Sequence, residues 1–120
     1  TVWAVDVNSR AVDLTQRNAQ ANGASGVRAR KAEEALASSQ ESDTRFDVIW
    51  SNPPVRIGKE AMHEMLLAWL DRLAPAGVAY LVVQRNLGAD SLITWLSTQG
   101  YQASKYASKK GFRIIEVRPA

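Results

Sequence analysis

The chain has 120 residues, 46% hydrophobic and 22% charged, the balance of an ordinary globular domain. With no cysteine it has neither a disulfide frame nor a thiolate zinc site, and no apolar run approaches the roughly 18 residues of a membrane span. The net charge of +3 arises in the second half: residues 1 to 60 hold eight basic and eight acidic side chains, residues 61 to 120 seven basic against four acidic. That tilt suits a nucleic-acid partner and equally a solvated basic face. Composition and the absence of a secretory leader pattern point to the cytoplasm.

Thr1 to Val7 is a short apolar run that ends on the acid Asp6, and Asn8 or Ser9 can cap the next segment. Residues 9 to 22 read as a helix with Val12, Leu14 and alanines for packing, Gln16 and Arg17 for solvent, and Asn22-Gly23 as its stop. Val27 to Lys31 is a strand whose Arg28 and Arg30 mark one wet face. Ala32 to Ser39 is a short helix, and residues 40 to 45 a polar loop.

Phe46 to Trp50 is the next strand, halted by Ser51-Asn52-Pro53-Pro54. From Gly58 onward Met62, Met65, Leu66, Trp69, Leu70 and Leu73 recur at helical spacing, and Ala74-Pro75-Ala76-Gly77 ends the stripe. Val78 to Gln84 is apolar throughout, as a strand covered on both faces would be. Gly88 to Gln99 is a helix packing through Leu92, Trp95 and Leu96. Tyr101 to Ala107 and Phe112 to Arg118 are strands joined by the hairpin turn Ser108-Lys109-Lys110-Gly111. The four tryptophans, Trp3, Trp50, Trp69 and Trp95, are expected in the core, and His63 in helix packing or at the surface. Strands alternating with helices predict an α/β fold with a mostly parallel sheet and an antiparallel pair at the C-terminal edge.

In such sheets ligands bind beyond the carboxyl ends of the strands, so the residues just past each strand carry the most chemistry. Asp6 can accept two hydrogen bonds from vicinal ribose hydroxyls, or it can cap the next helix. Glu33, after Ala32, can accept from an adenine amino group, or it can serve, with Glu34, as a helix-start acid favoured by the dipole. Asn52-Pro53-Pro54 is more specific. An exocyclic amine on a ring has a delocalised lone pair and attacks poorly. The side-chain oxygen of Asn52 and the carbonyl of Pro53 can grip its two N–H groups and favour the pyramidal geometry that frees the lone pair, while the two prolines hold the loop stiff. A rigid turn closing a strand is the plainer reading of the same residues. Arg56, Lys59 and Arg85 fall on the ligand side and can meet RNA phosphates, and Lys109 and Lys110 also fall at an element end; ordinary solvated charge explains all of them equally well.

At these residues the chain resembles class I S-adenosylmethionine-dependent methyltransferases of the small-domain, Asn-Pro-Pro type, with the nearest likeness to the 16S rRNA guanine-N2 methyltransferase C family. The stretches "VWAVDVNSRAVDLTQRNAQANG", "FDVIWSNPPVRIGKE", "VAYLVVQRNLGADSL" and "SKKGFRIIEVR" carry the resemblance, which runs from residue 1 to residue 118. It implies a Rossmann-like methyltransferase sheet and S-adenosylmethionine as cofactor, held by Asp6, Val7, Ala32, Glu33 and Asn52. It also implies Asn52, Pro53 and Pro54 as catalytic residues, and ribosomal RNA or the small ribosomal subunit as partner, with no metal and no membrane. Protein glutamine and DNA adenine are the alternative targets, and a non-catalytic binding domain the alternative role. There are two departures. Val55, Arg56 and Ile57 follow the prolines where the family often has an aromatic residue, so Arg56 is expected to stack on the base and Ile57 to form an apolar wall. The family's first strand and glycine-rich loop have no counterpart. Residues 1 to 120 are therefore expected to form a single, N-terminally incomplete methyltransferase domain that binds cofactor poorly alone and self-associates through unpaired strand edges.

Overall fold

The computed structural model describes residues 2–6, 9–23, 26–53 and 57–119. The chain divides into two units, Thr1–Thr44 and Arg45–Ala120. In the first, strand β1 (Val2–Asp6) runs parallel to β2 (Val27–Lys31), in register from Val2↔Val27 to Asp6↔Lys31. Helix α1 (Ser9–Ala21) joins them and packs on both strands, and α2 (Ala32–Glu41) follows β2 without a break. Gly23, at φ +69°, ends α1 in the left-handed conformation that a side chain disfavours. Ala29 is buried between exposed Arg28 and Arg30, so the strand has the one wet face its sequence implies. Gln16, expected in solvent, is half-buried instead: its Oε1 accepts the N–H of Ala29 at 3.1 Å, pairing a backbone donor of β2.

The second unit is a four-stranded sheet in the order β3-β4-β6-β5, built from β3 (Phe46–Ser51), β4 (Leu73–Gln84), β5 (Gln102–Lys109) and β6 (Phe112–Arg118). β3 and β4 are parallel, while β6 is antiparallel to both β4 and β5 and lies between them. Helices α3 (Lys59–Leu70) and α4 (Ala89–Thr98) supply the apolar cover. Met62, Leu66 and Leu70 of α3 and Ala89, Leu92 and Leu96 of α4 share one core with Ala79, Leu81 and Val83 of β4 and Ile115 and Val117 of β6. These are the alternate residues of two neighbouring strands, so one face of the sheet is consistently apolar. Burying a side chain such as Leu81, Leu96 or Ile115 in full stabilises the fold by roughly 1.5–3 kcal/mol each.

Helix α4 ends in a Schellman motif: the N–H of Gly100 donates to the Ser97 carbonyl and that of Tyr101 to the Leu96 carbonyl, both at 3.2 Å, with Gly100 at φ +94°. The turn between β5 and β6 is Lys110-Gly111, with φ +49° and +83°, the double positive φ of the tight hairpin turn whose twist matches its strands.

Three further sequence expectations change. Leu73 closes the helical stripe in the sequence, yet α3 stops at Leu70 and Leu73 is the buried first residue of β4. Residues 74–77 are a bulge inside that strand rather than a loop before it: Phe46 pairs with Leu73 and Val48 with Val78, so 74–77 have no partners on β3. Trp50 is not core. It is 64% exposed on the sheet face away from α3 and α4, with Val48 at 59% and Tyr106 at 61%, and its ring lies 5.5 Å from Tyr80, which lies 5.2 Å from Tyr106. Trp3, Trp69 and Trp95 are half-buried. No helix of the described residues is long and apolar enough to cross a membrane.

The bulge depends on Gly77. A Cβ there would lie 2.8 Å from the carbonyl oxygen of Phe46 and 3.0 Å from that of Ala74, both backbone atoms that cannot swing aside. Gly77→Ala should therefore destabilise the protein by about 1–3 kcal/mol, the range for forced overpacking, read as a lower denaturant midpoint. An unchanged midpoint would mean that the start of the β3–β4 ladder has more room than these distances allow.

Candidate active site at the carboxyl rim

Parallel pairing places strand ends together. In the first unit, Asp6 ends β1 opposite Lys31, the last residue of β2, and Ala32 and Glu33 begin α2 directly beyond it. Asp6 and Glu33 therefore belong to one rim. Glu33 is exposed in the first turn of α2, where an acid also complements the helix dipole. Lys31, at the N-cap position, makes no capping hydrogen bond through its side chain. By residue type this rim carries two acids, Asp6 at the end of β1 and Glu33 in the first turn of α2. Val7 lies outside the described residues.

In the second unit, β3 ends at Ser51, paired with Leu81, and Asn52 follows at the carboxyl end of that unit's own sheet, exposed, with Pro53 buried. Pro54, Val55 and Arg56 lie outside the described residues, so the stacking role expected of Arg56 falls there too. The chain resumes with Ile57, 55% exposed, and Gly58, whose φ of +104° turns it into α3. Lys59 is the exposed first residue of that helix. Arg85 follows the last residue of β4 and is exposed in a 3-10 turn, Arg85–Leu87. Because β3 and β4 are parallel, Asn52 and Arg85 lie toward the same end of the sheet.

The hairpin also joins this rim, through a contact that the sequence pattern does not announce. The N–H of Arg85 donates to the carbonyl of Gly111 at 2.7 Å, tying the end of β4 to the tip of the β5–β6 turn. Between them opens a cleft of about 500 Å³ lined by Gln84, Arg85, Asn86, Lys110, Gly111 and Phe112. The signal was present in Lys109-Lys110-Gly111-Phe112, cations and an aromatic around a tight turn, but only pairing of Gln84 with Phe112 brings them beside Arg85. A second cavity, about 360 Å³, lies at the opposite end, against Arg45, Leu73, Gly100 and Tyr101. There burial first, and the Asp71 carboxylate second, push the Tyr101 phenol pKa up.

His63 is a packing residue. Its ring stacks on Trp95 at 3.5 Å between centroids and 12° between planes, joining α3 to α4.

The second unit's sheet, with two parallel strands extended by a reversed hairpin, and the parallel pair of the first unit make this a mixed α/β chain of the Rossmann-like class I methyltransferase fold. It aligns with a methyltransferase from Pyrococcus furiosus at a TM-score of 0.73 and 24% identity, over 100% of this chain and 64% of that one. It aligns with the 16S rRNA N2 G1207 methyltransferase RsmC of Thermus thermophilus, solved with AdoMet and guanosine, at a TM-score of 0.62 and 16% identity, over 98% of this chain and 35% of that one. Residues 1–116 match the methyltransferase small domain family, and the chain belongs to it. The uncharacterized protein YbxB of Bacillus subtilis (strain 168) is 34% identical over 118 residues, 98% of this chain and 58% of that relative's length.

The position of His63 has a pH consequence. Burial first, and the Lys59 ammonium second, hold its pKa below the ordinary 6.5. The unfolded chain thus takes up the proton more readily than the folded one. Stability contributed by the neutral ring is complete above pH 6.5, declines as pH falls below it, and stops declining once the folded-state pKa is passed. Denaturant midpoints measured on either side of about pH 6 should show this loss in the wild type and a smaller one in His63→Gln. Identical pH slopes in the two proteins would remove His63 as the source.

Proposed function

We propose that this chain is the catalytic part of an S-adenosylmethionine-dependent methyltransferase that modifies an exocyclic amine, with guanine N2 of 16S ribosomal RNA as the target. The observation that carries the reading is Asn52, exposed at the carboxyl rim immediately after β3, with buried Pro53 anchoring the loop behind it. A single family match across residues 1–116 supports reading both units as parts of one methyltransferase domain.

When bound, S-adenosylmethionine supplies an electrophilic methyl group. The chain's own residues position the partners. The Asp6 carboxylate accepts from the ribose hydroxyls, with Val7 and Ala32 as neighbouring walls, and Glu33 accepts from the adenine amino group. At the other partner, the side-chain oxygen of Asn52 and the carbonyl of Pro53 accept the two N–H groups of the target amine. Holding both protons restrains the nitrogen in the pyramidal form whose lone pair points away from the ring, which is positioning and preorganised electrostatics rather than general-base chemistry. Pro54 continues the stiff loop through its fixed φ. Val55, Arg56 and Ile57 are assigned to the base, and Lys59 and Arg85 to the phosphates of the small-subunit RNA.

Support for an RNA target comes from charge as well as likeness. The unit that carries Asn52, residues 45 to 120, holds ten basic and six acidic side chains. The solved relative that holds a guanosine is an rRNA methyltransferase.

The test is methyl incorporation from labelled S-adenosylmethionine into undermethylated small ribosomal subunits by the full-length protein. Asn52→Ala should lower the rate at saturating cofactor about 10²–10³-fold, the usual cost of removing one preorganised hydrogen-bonding group from a transition state. Asp6→Ala should weaken cofactor binding first. Undiminished transfer by Asn52→Ala overturns the catalytic assignment. Label found in ribosomal protein rather than RNA overturns the substrate.

A further inference from the structure

The cleft between the end of β4 and the β5–β6 turn has walls that the backbone holds in place. The Arg85 N–H to Gly111 carbonyl bond fixes its two walls, and Lys110 accepts a φ of +49° to make the turn that forms one of them. Its lining holds two cations, two amides and an aromatic ring, but no acid. Two other cations of the same unit are paired, Arg113 with Asp90 of α4 and Arg118 with Glu116. Arg85, Lys109 and Lys110 are exposed and have no carboxylate partner among the described residues. Phe112 is 39% exposed at the mouth, large enough to offer a ring face.

We propose that this cleft is a second contact for single-stranded RNA, in which Arg85 and Lys110 hold a phosphate and Phe112 stacks on the base beside it, next to the nucleotide held at Asn52. Cations on a backbone together with an aromatic platform are the combination by which single strands are gripped without reading their sequence. The spacing fits. Asn52 follows the Ser51↔Leu81 pair on β3, and Phe112 pairs with Gln84 two strands away. Strand separation and rise then put the cleft on the order of 10 Å from Asn52, within reach of a neighbouring nucleotide. The inference rests on the rim being an RNA-modifying site, and it adds the part of the substrate that the Asn-Pro-Pro loop does not touch.

The experiment uses the full-length protein and a short fluorescein-labelled single-stranded RNA, with binding followed by anisotropy over a range of salt concentrations. The double variant Arg85→Gln with Lys110→Asn removes both charges, and asparagine tolerates the positive φ at position 110. It should flatten the slope of log affinity against log salt by about 0.7 for each cation removed. Phe112→Leu keeps a β-compatible apolar residue and should weaken binding about tenfold with the slope unchanged. Lys105→Gln, an exposed cation elsewhere on β5, should do neither; an equal effect from it would reduce the result to net charge and overturn the cleft. All variants are checked for unchanged thermal midpoint and cofactor affinity. Should the wild type methylate RNA while the double variant and Phe112→Leu bind the oligonucleotide as the wild type does, the cleft assignment fails and the reading of Asn52 stands. Should the wild type bind no RNA and label a protein glutamine instead, the RNA reading fails and takes the cleft with it.

Discussion

The parallel ladder between β3 and β4, from Val48↔Val78 to Ser51↔Leu81, decides where the polar groups of the second unit emerge. Two strands that run the same way release their chains at the same rim, so Asn52 and Arg85 are brought together by backbone hydrogen bonds before any side chain is considered. The ladder is steadied from the core side, where Leu81 and Val83 are buried and Ile49 packs against the same cluster. It starts with an irregularity, the bulge at residues 74–77, held in place by the tight approach of Gly77 to Phe46. A bulge there lets the chain leave α3 and still enter the ladder in the register that buries Ala79, Leu81 and Val83. A slip of one residue would turn those three to the opposite face.

The reversed strand β6 also decides what stands at the rim. β5 runs antiparallel to β6, as β4 does, so β5 and β4 point the same way. The turn that reverses the chain, Lys110-Gly111, therefore lies at the rim where β3 and β4 end. An all-parallel sheet would have sent the chain into another helix at that point. The hairpin instead supplies a short, stiff wall, because a two-residue turn with both φ positive has little freedom to move relative to its strands. That wall is latched to the turn after β4 by one backbone hydrogen bond, Arg85 to Gly111.

The fold was legible where burial speaks through periodicity. The apolar run from Val78 to Gln84 became the central strand, the stripe from Met62 to Leu70 became α3, and Val27 to Lys31 is β2 without adjustment. The misreadings share a cause, which is that local pattern does not carry the tertiary partner. Leu73 continues a helical stripe arithmetically, yet its partner is Phe46 across a ladder. Pro75 and Gly77 look like a stop, and they are the residues a bulge tolerates. Trp50 alternates correctly with Ile49, but hydrophobicity alone does not say which face of a strand is covered. The site divides in the same way. Asn52 and Asp6 stand out because their positions after strands have chemical meaning in one dimension, whereas the cleft at Phe112 exists only after β6 is paired with β4.

Ion pairing then distinguishes two groups of cations within the second unit. Arg113 lies mostly buried along the core side of β6 and reaches Asp90 in the first turn of α4, and Arg118 pairs with Glu116 on its own strand. Ion pairs of this kind hold side chains to the fold and leave little net field outside it. The basic residues at the rim are different, since Arg85 and Lys110 line an open cleft whose lining has no carboxylate. Both bring positive charge to one cleft without an acid in its lining, and an anion there would be attracted by each. That is the charge pattern the proposed RNA contact calls for.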